Sequence, residues 1–255
     1  MSASAVKPLP EPRPLPGFGR VALFLDLDGT LAAIRPRPED VGPEPWRTAL
    51  MQRLEERLAG KLAVISGRSV EEVDRILEGS VAAVGGVHGL VRRRSDGVVD
   101  AEPAAPGMDA ARQRLASLLA QHPGLRIEDK GLSLAIHYRQ APELESEVGR
   151  HAEAIAAETG LSLQLGDMVA ELRTPGVDKG AAVKAFMREP PFKGAVPVFV
   201  GDDLTDEHGF RAARALGGLG VLVGPLRATG ADMRLESVDA VRQWLETSLM
   251  QDAQP

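Results

Sequence analysis

The chain has 255 residues, enough for one or two domains with a sizeable core. Its formal net charge of −6 argues against a polyanion-binding surface, because phosphate-backbone binders need clustered excess Lys and Arg. The absence of cysteine excludes disulfides, thiolate metal sites and cysteine nucleophiles, and no run reaches the roughly 18 apolar residues that span a bilayer.

Met1 to Arg20 holds five prolines and no apolar signal-peptide core, so residues 1–19 read as a disordered or extended arm and the chain as cytoplasmic. Val21 to Leu25, Leu62 to Ile65, Val81 to Val84, Val196 to Val200 and Leu219 to Val223 are short apolar runs without alternation. Such runs suit strands buried on both faces of a parallel sheet. Between them Trp46, Ala49, Leu50, Leu54 and Leu58 recur at helical spacing, Ser69-Val-Glu-Glu72 offers a capping box, and Ala181 to Met187 and Phe210 to Leu216 continue the helical pattern. Alternating strand and helix predicts an α/β doubly wound, Rossmann-like core, with ligands at the carboxyl ends of the strands.

Residues 92–172 break the rhythm. Helical patterns at Ala110 to Ala120 and Pro142 to Glu158 flank Leu132 to Arg139, whose period of two turns Leu132, Leu134, Ile136 and Tyr138 to a core and Ser133, Ala135, His137 and Arg139 away from it. Further strands are expected near Leu161 to Leu165 and Met168 to Leu172. The predicted organisation is a core of residues 20–91 and 173–248 interrupted by an α+β insertion at 92–172. Arg92-Arg93-Arg94 reads as a solvated strand or loop edge. No two of the five histidines have helical i, i+4 spacing with a carboxylate partner, which argues against zinc.

Chemistry concentrates at the ends of the apolar runs. Phe24-Leu-Asp-Leu-Asp-Gly-Thr-Leu31 sets Asp26 and Asp28 at the edge of the first, where desolvated carboxylates need compensation, usually from a metal ion. Ser66-Gly67-Arg68 ends the second. Asp178-Lys179-Gly180 opens a helical pattern, and Gly201-Asp202-Asp203-Leu-Thr-Asp206-Glu207 ends a further run with four acids. Asp206 and Glu207 also suit the first turn of a helix capped by Thr205, and for Glu207 that is the preferred reading.

In this order the four pieces resemble the motifs of the haloacid dehalogenase superfamily of phosphotransferases. The resemblance implies Asp26 as nucleophile, Asp28 as general acid and base, and Ser66 and Lys179 on the phosphoryl oxygens. It also implies Mg²⁺ held by Asp26, the Asp28 carbonyl and Asp202, with Asp203 orienting its surroundings. The insertion falls where many members carry a substrate-recognition cap.

Ile65-Ser-Gly-Arg68, Gly86-Val-His-Gly89, Glu128-Asp-Lys130, His137-Tyr-Arg139, Glu171-Leu-Arg173 and Gly201 to Glu207 together are similar to trehalose-6-phosphate phosphatases. That likeness implies trehalose 6-phosphate as the small-molecule substrate. Arg68, Glu128, Lys130, His137, Arg139 and Glu171 would be its sugar contacts. Val91 in place of an acid, and proline displaced to Thr174-Pro175, depart from the family pattern and leave room for a related sugar phosphate such as a sucrose or mannosyl-glycerate phosphate. A silent sugar-phosphate sensor on the same fold would be expected to lack Asp26 or Asp28. Neither nucleic acid nor membrane is an expected partner, and the sequence leaves the oligomeric state, monomer or larger, open.

Overall fold

The structure, a computed structural model, describes residues 8–252 apart from Pro16 and Asp167. In chain order its elements are β1 (Val21–Leu25), α1 (Pro45–Arg57), β2 (Leu62–Ile65), α2 (Val70–Leu77), β3 (Ala83–Gly86), β4 (Val91–Arg93) and β5 (Val99–Ala101). There follow α3 (Met108–Gln121), β6 (Arg126–Asp129), β7 (Ser133–His137), α4 (Glu145–Thr159), β8 (Ser162–Gly166) and β9 (Val169–Arg173). The last are α5 (Lys179–Phe186), β10 (Val196–Gly201), α6 (Asp206–Ala215), β11 (Leu219–Val223), β12 (Met233–Leu235) and α7 (Val238–Asp252). No helix among the described residues is long and apolar enough to cross a membrane.

The chain divides into two compact units, one of residues up to Asp100 together with those from Asp178, the other Ala101–Val177. The expected boundaries at 91/92 and 172/173 thus both come earlier in the chain than those observed. β4 pairs antiparallel with β3, so the arginine run belongs to the first unit's sheet, while β9 pairs with β7 and belongs to the second.

Among the described residues the first unit's sheet has the order β12-β11-β10-β1-β2-β3-β4-β5, parallel from β12 through β3. Parallel strands need both faces covered, and β1 shows how the sequence supplies this. Val21, Leu23 and Leu25 enter one apolar core with α1, α2 and α7, while Ala22 and Phe24 enter the other with α5 and α6. Phe24, Phe186 and Phe192 form a ring cluster with centroids 5.2–6.1 Å apart in the second core. Each such ring contributes roughly 1.5–3 kcal/mol by burial. The Ser69 capping box forms as expected and fixes the start of α2.

Arg92, Arg93 and Arg94 are each paired with acids: Glu189 at 2.8 Å, Asp74 at 2.5 Å and Asp96 at 2.6 Å. The run lies on and just after β4, as an edge reading expects, but it is paired and not solvated: Arg92 is largely buried, over the Phe186 ring at 5.2 Å. The proline-rich arm differs from expectation. Residues 1–7 lie outside the described residues, but from Pro8 onward the arm is docked, not disordered. The Pro10 carbonyl accepts from the Arg234 amide at 2.9 Å, the Arg13 carbonyl from Trp244 Nε1 at 2.9 Å, and the Leu15 amide donates to Ser248 Oγ at 3.0 Å. Leu15 and Phe18 are buried in the first core. These apolar residues anchor a segment whose proline content reduces the entropy lost on ordering.

The second unit is an antiparallel sheet of order β6-β7-β9-β8 packed on α3 and α4. Leu134, Ile136 and Tyr138 face this core as the alternation predicts. Ser133 and Ala135, expected on an exposed face, are buried as well, at 0% and 1% exposure.

Glu55 on α1 accepts a hydrogen bond from the Ala82 backbone, yet its Oε2 is buried with no hydrogen-bond partner among the described residues. Burial pushes its carboxyl up to about 7. A folded-state value above the unfolded one, about 4.3, means that the native protein holds this proton more tightly. The contribution to stability is complete below the unfolded value and is lost as pH rises through about 7. Glu55→Gln should therefore stabilise the protein at about pH 8 by about 1–2 kcal/mol, allowing for solvent screening, and change little at about pH 4. Thermal melts at the two pH values check this, and equal melting temperatures at the higher pH would exclude the burial effect.

Candidate active site

The sheet's winding reverses between β1 and β10, and the register Leu25↔Val200 brings their carboxyl ends level. Ligands of doubly wound sheets bind at such a reversal. Asp26 leaves β1 there, its amide donating to the Val200 carbonyl at 2.9 Å, and Asp202 leaves β10 beside it. Lys179 is the first residue of α5, whose N-cap Asp178 accepts from the Ala181 amide at 2.7 Å. This cap aims the lysine inward, and Lys179 is 3% exposed.

Lys179 Nζ lies 2.7 Å from Asp26 Oδ1 and 2.7 Å from Asp206 Oδ1. Asp206, completely buried at the start of α6, also accepts the amides of Asp202 and Asp203 on Oδ2, both at 3.0 Å. Its packing needs Gly201, because a Cβ there would stand 2.3 Å from Asp206 Cγ. One carboxylate of Asp26, of Asp202 and of Asp206 each brings an oxygen within 4.8 Å of the others.

The electrostatics follow from this crowding. Burial raises the Asp26 carboxyl well above its ordinary value, with Asp206 and Asp202 adding to the rise against the pull of Lys179. Burial, then Asp206, pushes Asp202 up to about 7. For Lys179 burial works against the charge, but Asp206 and Asp26 outweigh it and hold the ammonium protonated. Asp202 Oδ1 is buried with no hydrogen-bond partner among the described residues. Three carboxylates against one ammonium leave an excess of negative charge that a divalent cation would balance. An all-oxygen donor set suits a hard ion such as Mg²⁺. Asp206 is occupied by Lys179 and two amides, so Asp26 and Asp202 are the better direct ligands.

The other expected residues separate into those that join this centre and those that do not. Asp28 is partly exposed, and both its oxygens accept from Arg68, at 2.7 Å from Nε and 2.8 Å from Nη2. Arg68 also donates to the Pro38 carbonyl at 3.0 Å and to Glu72 at 3.3 Å, so the guanidinium expected on a sugar is engaged within the core unit. Ser66 is buried at the end of β2, the strand paired with β1, and its Oγ accepts the Arg68 amide at 3.2 Å. Asp203 is exposed and enters the turn through its backbone; Asp206 stands in the carboxylate cluster.

One reading of the α6 start changes. Thr205 makes no side-chain cap, because Asp206 takes the turn amides instead. Glu207 stands in the first turn of α6 as expected, and its carboxylate also accepts from Arg227, from Thr229 Oγ1 at 2.7 Å and from the Gly230 amide at 2.7 Å. Nothing local in the sequence pointed to Arg227, and a third acid four residues after Asp202 was the available signal for Asp206.

Within the second unit, Glu128, Ala135 and Glu171 form one cross-strand row over β6, β7 and β9. The small Ala135 between the acids leaves room for Lys130 Nζ, 3.9 Å from Glu128 and 3.5 Å from Glu171. His137 Nε2 is 2.9 Å from Glu128, and Ser133 Oγ donates to Glu171 at 2.7 Å. Burial opposes the Glu128 charge, but His137 and Lys130 outweigh it and hold the carboxyl below its ordinary range. Arg139 lies beyond the end of β7 and is exposed.

A parallel sheet with carboxylates at its winding reversal, a buried lysine between two of them, and an inserted α+β unit are the features of the haloacid dehalogenase phosphatase fold. The trehalose-phosphatase family model matches residues 24–239, and the chain belongs to that family. Over 230 residues it is 42% identical to a trehalose-6-phosphate phosphatase of Escherichia coli, covering 89% of this chain and 86% of the relative. It is 36% identical over 224 residues to a probable trehalose-phosphate phosphatase of Sinorhizobium fredii, covering 87% and 84%. The solved structure of a trehalose-6-phosphate phosphatase related protein superposes with a TM-score of 0.75 at 29% identity, covering 92% of this chain and 99% of that one. The C-terminal domain of the Candida albicans trehalose-6-phosphate phosphatase shares the fold, with a TM-score of 0.84 at 20% identity over 97% and 99%.

Gly29 supplies a direct test of the carboxylate geometry. It sits at φ 81°, and a Cβ there would fall 2.0 Å from Asp202 Oδ2. Gly29→Ala should keep the fold, at a stability loss of about 1–3 kcal/mol for the left-handed backbone. Turnover should drop by about 10²-fold, as expected when a group that positions the centre is displaced by an ångström. Circular dichroism and phosphate release measured together check this; unaltered turnover would show that Asp202 need not approach the Asp26 loop closely.

Proposed function

We propose that this phosphatase hydrolyses trehalose 6-phosphate to trehalose and phosphate in the cytoplasm, with Mg²⁺ and through a covalent phosphate on Asp26. The observation that carries the reading is the Lys179 ammonium shared between Asp26 and Asp206, with Asp202 alongside and one of its oxygens unsatisfied. The extensive likeness to trehalose-phosphate phosphatases supports the choice of substrate.

Asp26 Oδ2 attacks phosphorus while the bond from phosphorus to the sugar oxygen breaks. Asp28 gives a proton to the leaving alkoxide and then takes one from the water that attacks the aspartyl phosphate, returning Asp26 and releasing phosphate. Lys179 and Ser66 stabilise the charge on the equatorial oxygens. Asp26, Asp202 and the Asp28 carbonyl would hold Mg²⁺, which when bound would supply Lewis-acid charge stabilisation. Asp28 performs both proton transfers only if an oxygen turns from Arg68 towards the substrate, so Arg68 orients the acid in the resting arrangement. In the inserted unit the Glu128–Ala135–Glu171 row, with Lys130 and His137, offers paired acceptors and donors for sugar hydroxyls. Arg139 is a further sugar contact in this reading.

Phosphate release from trehalose 6-phosphate, sucrose 6-phosphate and glucose 6-phosphate tests the assignment. Trehalose 6-phosphate should be favoured, EDTA should abolish turnover and Mg²⁺ restore it, and Asp26→Asn should be inactive with no acid-quenched mass increase from phosphate. Activity in Asp26→Asn would sink the mechanism, and a stronger preference for another sugar would redirect the substrate assignment.

The roles of Arg68 and the inserted unit separate by substrate. Glu128→Ala and Lys130→Ala should lower kcat/KM for trehalose 6-phosphate by about ten- to a hundred-fold, while sparing a small aryl phosphate. Arg68→Gln, acting through Asp28, should depress both substrates alike. A loss confined to trehalose 6-phosphate in Arg68→Gln would return that arginine to the sugar.

A further inference from the structure

Asp202 Oδ1 has no hydrogen-bond partner among the described residues, and the turn that bears the side chain sets where it begins. That turn is gripped from two sides. Its amides, at Asp202 and Asp203, donate to Asp206 Oδ2. Its carbonyls at the same two residues accept from a single nitrogen, Arg227 Nη2, at 3.2 Å and 2.8 Å. Arg227 comes from the loop between β11 and β12, and its other terminal nitrogen pairs with Glu207 and donates to the Ala228 carbonyl at 3.2 Å. Glu207 fastens the same loop at Thr229 and Gly230.

Water would satisfy two turn carbonyls but would leave their peptide planes free to rock. A guanidinium held by a carboxylate fixes both planes, because its fork is rigid and charge-assisted bonds are about twice as strong as neutral ones. We infer that Arg227, braced by Glu207, is a positioning residue that sets the Asp202 carboxylate for metal binding. The inference rests on the reading of Asp202 as a metal ligand and adds to it a control from a loop that touches no reacting atom in the mechanism above. The effect runs through the backbone of Asp202 and Asp203 alone, so it should appear in metal affinity and hardly in sugar recognition.

The test uses the full chain and Mn²⁺ as a spectroscopic probe for the divalent site. Free Mn²⁺ is titrated with protein by electron paramagnetic resonance without substrate, and the Mg²⁺ dependence of turnover is measured in parallel. Arg227→Gln should weaken Mn²⁺ binding and raise the Mg²⁺ requirement by about tenfold, the lower end for partners that orient metal ligands, with KM for trehalose 6-phosphate within about twofold. Glu207→Gln should shift both metal readings the same way, and the double variant should be no worse than Arg227→Gln, since the two act as one unit. Arg227→Lys, keeping the charge without the fork, should recover part of the affinity and remains informative if Arg227→Gln does not fold. Wild-type Mn²⁺ affinity in the folded variants, with or without a lower melting temperature, overturns the inference. A wild-type protein that binds no Mn²⁺ would instead remove the reading of Asp202 on which it rests.

Discussion

The centre depends on one interaction: a fully desolvated ammonium shared by two carboxylates. Taking Lys179, Asp26 and Asp206 out of water is unfavourable for each alone, and only their short mutual contacts make the arrangement tenable. The grouping is deliberately unbalanced, because Asp202 adds a third carboxylate with no second cation. The protein by itself meets that imbalance by raising the affinity of Asp26 and Asp202 for protons. A site that favours bound protons when empty of other positive charge is one that a dication can occupy by displacing them.

The surrounding architecture serves this grouping. Level ends of β1 and β10 bring Asp26 and Asp202 together, Asp178 turns α5 so that Lys179 points inward, and Gly29 and Gly201 remove the two Cβ atoms that would keep the carboxylates apart. Asp206 links the lysine to the Asp202 turn, so charge balance and backbone geometry are set by one residue. Phe24, which joins the aromatic cluster, lies on the strand that Asp26 follows, giving that carboxylate a rigid base.

Much of this was legible in the sequence because it is written locally. An apolar run ending in Asp26-Leu-Asp28, or a capping Asp178 before Lys179, places its side chain through the geometry of a single strand end or helix start. The Ser69–Glu72 capping box is local in the same sense. Contacts between distant segments were not legible: Arg68 with Asp28, and Arg227 with the Asp202 turn, join residues whose sequence neighbourhoods give no sign of each other. Composition also misled. The prolines of the arm suggested disorder, whereas Leu15 and Phe18 supply enough burial to seat it, and alternation exposed Ser133 and Ala135 on paper although the Ser133–Glu171 contact is buried.

The seating of the arm bears on self-association. β12 is a terminal strand of the first sheet, and a free terminal strand offers unpaired amides and carbonyls to any passing chain. Here the Arg234 amide is taken by the carbonyl of Pro10, from a segment whose many prolines lack amides with which to extend the ladder further. At the opposite margin β5 has three residues. One margin of the sheet is thereby engaged at Arg234 and both marginal strands are short, two features that limit edge-to-edge pairing with another chain.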